Sequence, residues 1–82
     1  MDQTVAEFQK SATEKIIAKM REYRGRTYAD IRVYYLANIS DDSYAPTKKG
    51  ITIAPDLLDE LAGMVEKLKI AADGGKEEDN TE

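Results

Sequence analysis

The chain has no cysteine, no histidine and no tryptophan in its 82 residues, and only two prolines and one phenylalanine. Each absence removes a class of explanation. Without cysteine, no disulfide can staple so short a chain. Without cysteine or histidine, a structural zinc site lacks its usual ligands. The same absences remove the commonest catalytic pairings, because no imidazole titrates near neutral pH and no thiolate can attack. Ser11, Ser40 and Ser43 have no base partner visible in the sequence. Lys48-Lys49-Gly50-Ile51-Thr52 lacks the spacing of a phosphate-binding P-loop. Asp41-Asp42 reads as a solvated loop rather than a cation site. The expectation is a protein that is not an enzyme and holds no metal or cofactor. No apolar run is long enough to span a bilayer, and Met1 to Glu7 lacks the basic and hydrophobic regions of a signal peptide. A cytoplasmic protein with no membrane partner is the simplest expectation.

What is present amounts to one small domain. Residues 1–14 have little apolar pattern and read as a mobile N-terminal arm. Residues 15–72 read as the folded domain, and 73–82 as a disordered acidic tail. A domain of this size buries only about 60% of its unfolded surface. With no staple available, oligomerisation is the remaining device, and a homodimer is expected on physical grounds alone.

Net charge is −4, but its distribution matters more. Residues 1–14 carry −2, residues 15–53 carry +4, residues 54–72 carry −2 and residues 73–82 carry −4. The basic charge is therefore confined to the region that reads as strands.

Ile16 to Tyr23 alternates with period two. Ile16, Ala18 and Met20 share one face, and Lys19, Arg21 and Tyr23 the other. A helix is the competing reading of this stretch. Arg24-Gly25-Arg26 is a tight connection in which glycine supplies positive φ. Thr27 to Ala37 is the strongest strand signal, with Ile31 and Val33 on one face and Tyr28, Asp30, Arg32 and Tyr34 on the other. A polar loop follows over 38–43. A third strand over 44–48 must lie at an edge or carry a bulge, because Pro46 cannot donate a ladder hydrogen bond. Ile51 to Ile53 is a short fourth strand. Pro55 opens a helix with Leu57, Leu58, Leu61, Val65 and Leu68 as its apolar stripe, and Gly74-Gly75 ends the order. Gly63 in mid-helix suggests close approach of a partner helix. The order is α+β, an antiparallel sheet followed by one C-terminal helix.

Residues 21–35 hold four of the five tyrosines and all four arginines. Taken singly, each is ordinary sheet decoration. Together, Tyr23, Arg24, Arg26, Arg32, Tyr35, Lys48 and Lys49 fall on adjacent strands or their turns. Cations that neutralise phosphates, interleaved with rings that stack on bases, suit unpaired nucleic acid. A protein-interaction module using the same sheet is the alternative, with tyrosine and arginine as hot spots.

Several segments then carry a resemblance. Lys19-Met20-Arg21, Tyr23-Arg24-Gly25-Arg26, Asp30-Ile31-Arg32-Val33-Tyr34-Tyr35 and Pro46-Thr47-Lys48-Lys49-Gly50-Ile51-Thr52-Ile53, followed by Pro55 and a leucine-bearing helix, resemble the C-terminal domain of the transcriptional coactivator positive cofactor four. The resemblance covers about residues 15–70 and suggests a bacterial or phage member. It implies a four-stranded curved antiparallel sheet, one helix, and a homodimer whose two sheets form a channel for single-stranded DNA. It places Lys19, Arg21, Tyr23, Arg24, Arg26, Arg32, Tyr35, Lys48 and Lys49 at the nucleic acid. Leu61, Gly63, Met64, Val65 and Leu68 fall at the dimer interface. RNA is the alternative ligand, the transcription machinery a further partner, and a bacterial nucleoid the expected location. Tyr35 stands where the family usually has tryptophan, and Ala54 where a capping asparagine is common. Strict alternation puts Tyr34 on the Arg32 face, whereas the resemblance assigns Tyr35. A bulge or strong coiling would reconcile the two.

Overall fold

The computed structural model describes residues 2–80. Four strands, β1 (Gln3–Ser11), β2 (Glu14–Tyr23), β3 (Arg26–Asn38) and β4 (Ser43–Ile53), lie in one sheet in chain order, every neighbour antiparallel. A 3-10 turn (Pro55–Leu57) leads into one helix, α1 (Leu58–Asn80). The expected α+β layout of an antiparallel sheet and a C-terminal helix is present, but its four strands are distributed differently.

The first difference is β1. Residues expected to form a mobile arm are a nine-residue strand paired along β2. Every residue of β1 is exposed, so no period-two apolar signal marks it. Pairing with the β2 backbone creates it, with Phe8 opposite Ile16.

The second difference is β4, one strand where two short ones were expected. Arg32 faces Gly50, but Tyr34 faces Pro46, so the register breaks around Thr47–Lys49. Thr47 holds the break closed. Its Oγ1 donates to the Val33 carbonyl at 2.8 Å and accepts from the Lys49 N–H at 3.1 Å. Pro46 sits on the edge strand of the sheet, where its missing donor does no harm. Gly50 is required for space. A Cβ there would run into the Ile31 carbonyl oxygen and come within 2.8 Å of Arg32 Cα.

The β2–β3 turn has the expected glycine, Gly25, at φ 78°. Arg24 beside it is also left-handed, at φ 54°. Positive φ at both central residues is the requirement of a type I′ hairpin, whose twist matches that of its strands.

The helix also departs from expectation. It continues through Gly74-Gly75 to Asn80, so the stretch expected to be a disordered tail is helical as far as Asn80; residues 81 and 82 lie outside the described residues. At about 1.5 Å per residue, its 23 residues make a rod of about 35 Å. That rod leaves most of its apolar stripe bare: Met64, Val65 and Leu68 are 48–64% exposed. Among the described residues, nothing outside the helix's own backbone lies within 4 Å of where a Gly63 Cβ would stand.

Among the described residues only Ile17, Ala29, Asp30, Val33 and Tyr34 are buried. The radius of gyration is 15.9 Å, against about 12 Å for a compact domain of this length. A single sheet and a projecting helix therefore leave the described residues without a second layer over the sheet.

Candidate nucleic-acid interface

The β2–β3 register runs unbroken from Glu14↔Tyr35 to Tyr23↔Arg26. Residues directly opposite each other share a face. Lys15, Ile17, Lys19, Arg21 and Tyr23 of β2 therefore lie with Tyr34, Arg32, Asp30, Tyr28 and Arg26 of β3. Tyr44, Pro46, Gly50 and Thr52 of β4 join them. The opposite face carries Ile16, Ala18, Met20, Ala29, Ile31, Val33 and Ile51. The alternation predicted over 16–23 and 27–37 is present in both strands.

The first face contains a groove of about 590 Å³, lined by Lys19, Arg21, Arg32, Lys48, Tyr34 and Tyr44, with Asp2, Pro46 and Thr47. Beyond Arg21, toward the hairpin turn, a second hollow of about 290 Å³ lies between Tyr23, Tyr28 and Thr52. At the turn itself, the Arg24 guanidinium stands 5.2 Å from the Tyr23 ring centroid. Lys19 Nζ lies 5.0 Å from the Tyr34 ring and Lys15 Nζ 4.5 Å from the Tyr44 ring. Cations and ring faces are thus interleaved along one surface.

At the centre of this face lies an arrangement that sequence reading missed. Asp30 is 1% exposed, the most buried residue described. Its carboxylate accepts from Arg32 Nη2 at 2.8 Å, from Arg32 Nε at 3.2 Å and from Thr52 Oγ1 at 2.6 Å. Arg32 Nη2 also reaches Thr52 Oγ1 at 3.2 Å, and Nη1 donates to the Thr47 carbonyl at 3.1 Å. Burial pushes the Asp30 carboxyl up, but the hydrogen bonds from Arg32 and Thr52 and the Arg32 charge outweigh it. The result is a carboxyl held below its ordinary range. The bond to Asp30 raises the Arg32 guanidinium in turn. Arg32 therefore lines the groove with most of its donors spent internally. It ties β3 to the irregular part of β4 and leaves one Nη1 hydrogen for a ligand. The signal was an acid and a base two apart on a strand, which alternation puts side by side.

The remaining predicted residues divide. Lys19, Arg21, Arg32 and Lys48 come together in the groove, with Tyr23 and Arg26 toward the turn. Among the described residues, Lys19, Arg24, Arg26 and Lys48 form no ion pair. Lys49 points the other way and lines a hollow with Ile16, Ile31 and Ile51. Tyr35 also lies on that opposite face, across from Glu14 and Ala45, and is 46% exposed. The bulge that was to carry Tyr35 to the Arg32 face is absent from β3, since the irregularity falls in β4. Tyr34 takes that place, 8% exposed beneath Lys19. Tyr44 and Lys15 are further groove-side residues that sequence reading passed over.

The model of the transcriptional coactivator p15 (PC4) family matches residues 10–63. A PC4 homologue from Burkholderia pseudomallei, solved in a tetragonal crystal form, is 38% identical over 88% of this chain and 98% of that chain, with a TM-score of 0.69. The orthorhombic form gives 40% identity over 85% and 88%, with a TM-score of 0.68. A bacteriophage T5 homologue of the eukaryotic coactivator PC4, described as implicated in recombination-dependent DNA replication, shares the fold at 24% identity. Its TM-score is 0.58 over 90% of this chain and 81% of that one. No curated protein matches the chain.

Proposed function

The chain belongs to the transcriptional coactivator p15 (PC4) family, and on that premise we propose that it is a non-enzymatic protein that binds single-stranded DNA on the Arg32 face of its sheet. The supporting observation is the groove of Lys19, Arg21, Lys48, Tyr34 and Tyr44, continued by Tyr23, Arg24 and Arg26 at the hairpin turn. Cations without ion pairs meet phosphates, and the Tyr23 ring, 62% exposed, offers a stacking platform. None of these contacts reads a base edge, so binding is largely sequence-independent. Arg32 acts chiefly by holding β4 in place. Tyr35 and Lys49 would meet a strand only where it passed around the sheet to the other face.

The working unit is a homodimer. The bare helix stripe of Met64, Val65 and Leu68 and the thin core of one protomer both call for a second layer. Leu61 and Gly63 lie on the same helix and belong to that contact. Two sheets brought together would lengthen the surface available to one strand. Such a protein serves transcription, replication or repair wherever strands are open.

The test is a salt titration of oligo-dT binding, set beside a duplex of equal length. Single strands should bind more tightly, because paired bases hide their faces. A preference for duplex would overturn the stacking argument. So would an affinity for oligo-dT weaker than about 10⁻⁴ M at low salt, the weak end of non-specific binding. Equal or tighter binding of oligo-U would move the assignment to RNA.

A further inference from the structure

We propose that β1 and the residue before it carry a built-in competitor for phosphate: on the groove face of the sheet, Asp2 and Glu7 occupy the cations of Arg21 and Lys15, and a bound strand must displace them. This rests on the nucleic-acid reading above. Asp2 Oδ2 lies 3.4 Å from Arg21 Nε, and Asp2 itself lines the groove. Glu7 Oε1 lies 3.0 Å from Lys15 Nζ, beside the Tyr44 ring. The bond to Glu7 raises the Lys15 amine above its usual range.

The backbone is arranged to put both acids there. Thr4 pairs with Lys19 and Glu7 with Ile17, both on the groove face. Thr4 and Glu7 are three residues apart, so simple alternation would send Glu7 to the opposite face. The register shift between Thr4 and Ala6 inserts Val5 as an extra residue and restores Glu7 to the groove face. The same shift turns Phe8 away, opposite Ile16. The stretch matched by the family model begins at residue 10, so both acids lie outside it.

The consequence is a raised threshold. A short or sparsely charged ligand offsets the displacement of two carboxylates with few contacts, whereas a strand that engages several cations at once offsets it with many. Both pairs are partly exposed, with side chains 27–48% accessible. Each is therefore worth about two- to fivefold in affinity. The double variant Asp2→Asn/Glu7→Gln should bind oligo-dT about tenfold more tightly at low salt. Its salt dependence should also steepen, by about 0.7 in log–log slope for each cation returned to the phosphates. A merely structural role for β1 would move stability and leave that slope alone. The control is Asp59→Asn/Glu66→Gln, the same charge change on α1. If wild type fails to bind single strands at low salt, the nucleic-acid reading itself falls. If wild type binds and the β1 variant matches it in affinity and slope, this inference is overturned while that reading stands. If the α1 control tightens binding as much as the β1 variant, net charge explains the effect and the inference is again overturned.

Discussion

Replacing Asp30 by alanine deletes the acceptor of three hydrogen bonds: two from Arg32, at 2.8 and 3.2 Å, and one from Thr52, at 2.6 Å. It also strands a guanidinium whose side chain is 18% exposed. Breaking a fully buried pair costs about 3–5 kcal/mol. Arg32 keeps its bond to the Thr47 carbonyl and some water, so the expected loss for Asp30→Ala is about 2–4 kcal/mol. That is a large share of the stability of so small a domain. Urea unfolding followed by circular dichroism measures it, at fixed protein concentration because self-association would couple to folding.

Arg32→Met tests the same cause from the other side. In the wild type the Asp30 carboxyl is held low, so its contribution is present above the unfolded value, near 3.9, and is lost as pH falls through the lower folded value. In Arg32→Met the guanidinium's hydrogen bonds and charge are gone, burial opposes fewer lowering influences, and the carboxyl moves up from its wild-type position. The stability that the depressed carboxyl contributes above its unfolded value is then reduced, while below the folded value of the wild type there was none to lose. The deficit of Arg32→Met relative to wild type should therefore be larger at pH 7 than at pH 4. A deficit independent of pH, or an Asp30→Ala loss under about 1 kcal/mol, the worth of one ordinary hydrogen bond, would refute the reasoning.

Other outcomes follow from the same structure. Oligo-dT binding should weaken with salt at a slope of about −3 per protomer, from four cations without ion pairs at about 0.7 each; Lys48→Ala should flatten it by one such step. Tyr23→Ala should cost about 1–3 kcal/mol of binding while leaving the slope unchanged, because stacking releases no counterions; titrations at several salt concentrations read both. Gly50→Ala should destabilise more than Gly25→Ala in urea melts. The first drives a Cβ into the Ile31 and Arg32 backbone, whereas the second strains only φ, with open space around it. Leu68→Asp should give a monomer in sedimentation if the bare face of α1 closes the dimer, and an unchanged mass would exclude that face.

Much of the fold was readable because its signals are local. Alternation over 16–23 and 27–37 assigned the faces of β2 and β3, Gly25 marked the turn, and Pro55 marked the entry to the helix. The confinement of positive charge to residues 15–53 located the candidate surface. β1 was not readable, since an edge strand that buries nothing shows no apolar period; only pairing with β2 makes it a strand. The continuity of β4 was hidden for a related reason. Pro46 and Gly50 read as interruptions, and Thr47 bridges them through bonds to Val33 and Lys49 that exist only once β3 is alongside.

By itself, then, the sequence determined which residue types face which way along each recognised strand, because side-chain direction follows from backbone period. It also excluded a disulfide or a cysteine–histidine zinc site as a staple for so small a core. The tertiary structure decided what those residues do. It spent Arg32 on Asp30, divided Lys48 from Lys49, kept Tyr34 rather than Tyr35 beside Arg32, and used one inserted residue in β1 to bring Glu7 to the groove face. Each of those outcomes depends on register between strands. Register is a relation between segments distant along the chain, and no single stretch of sequence contains it.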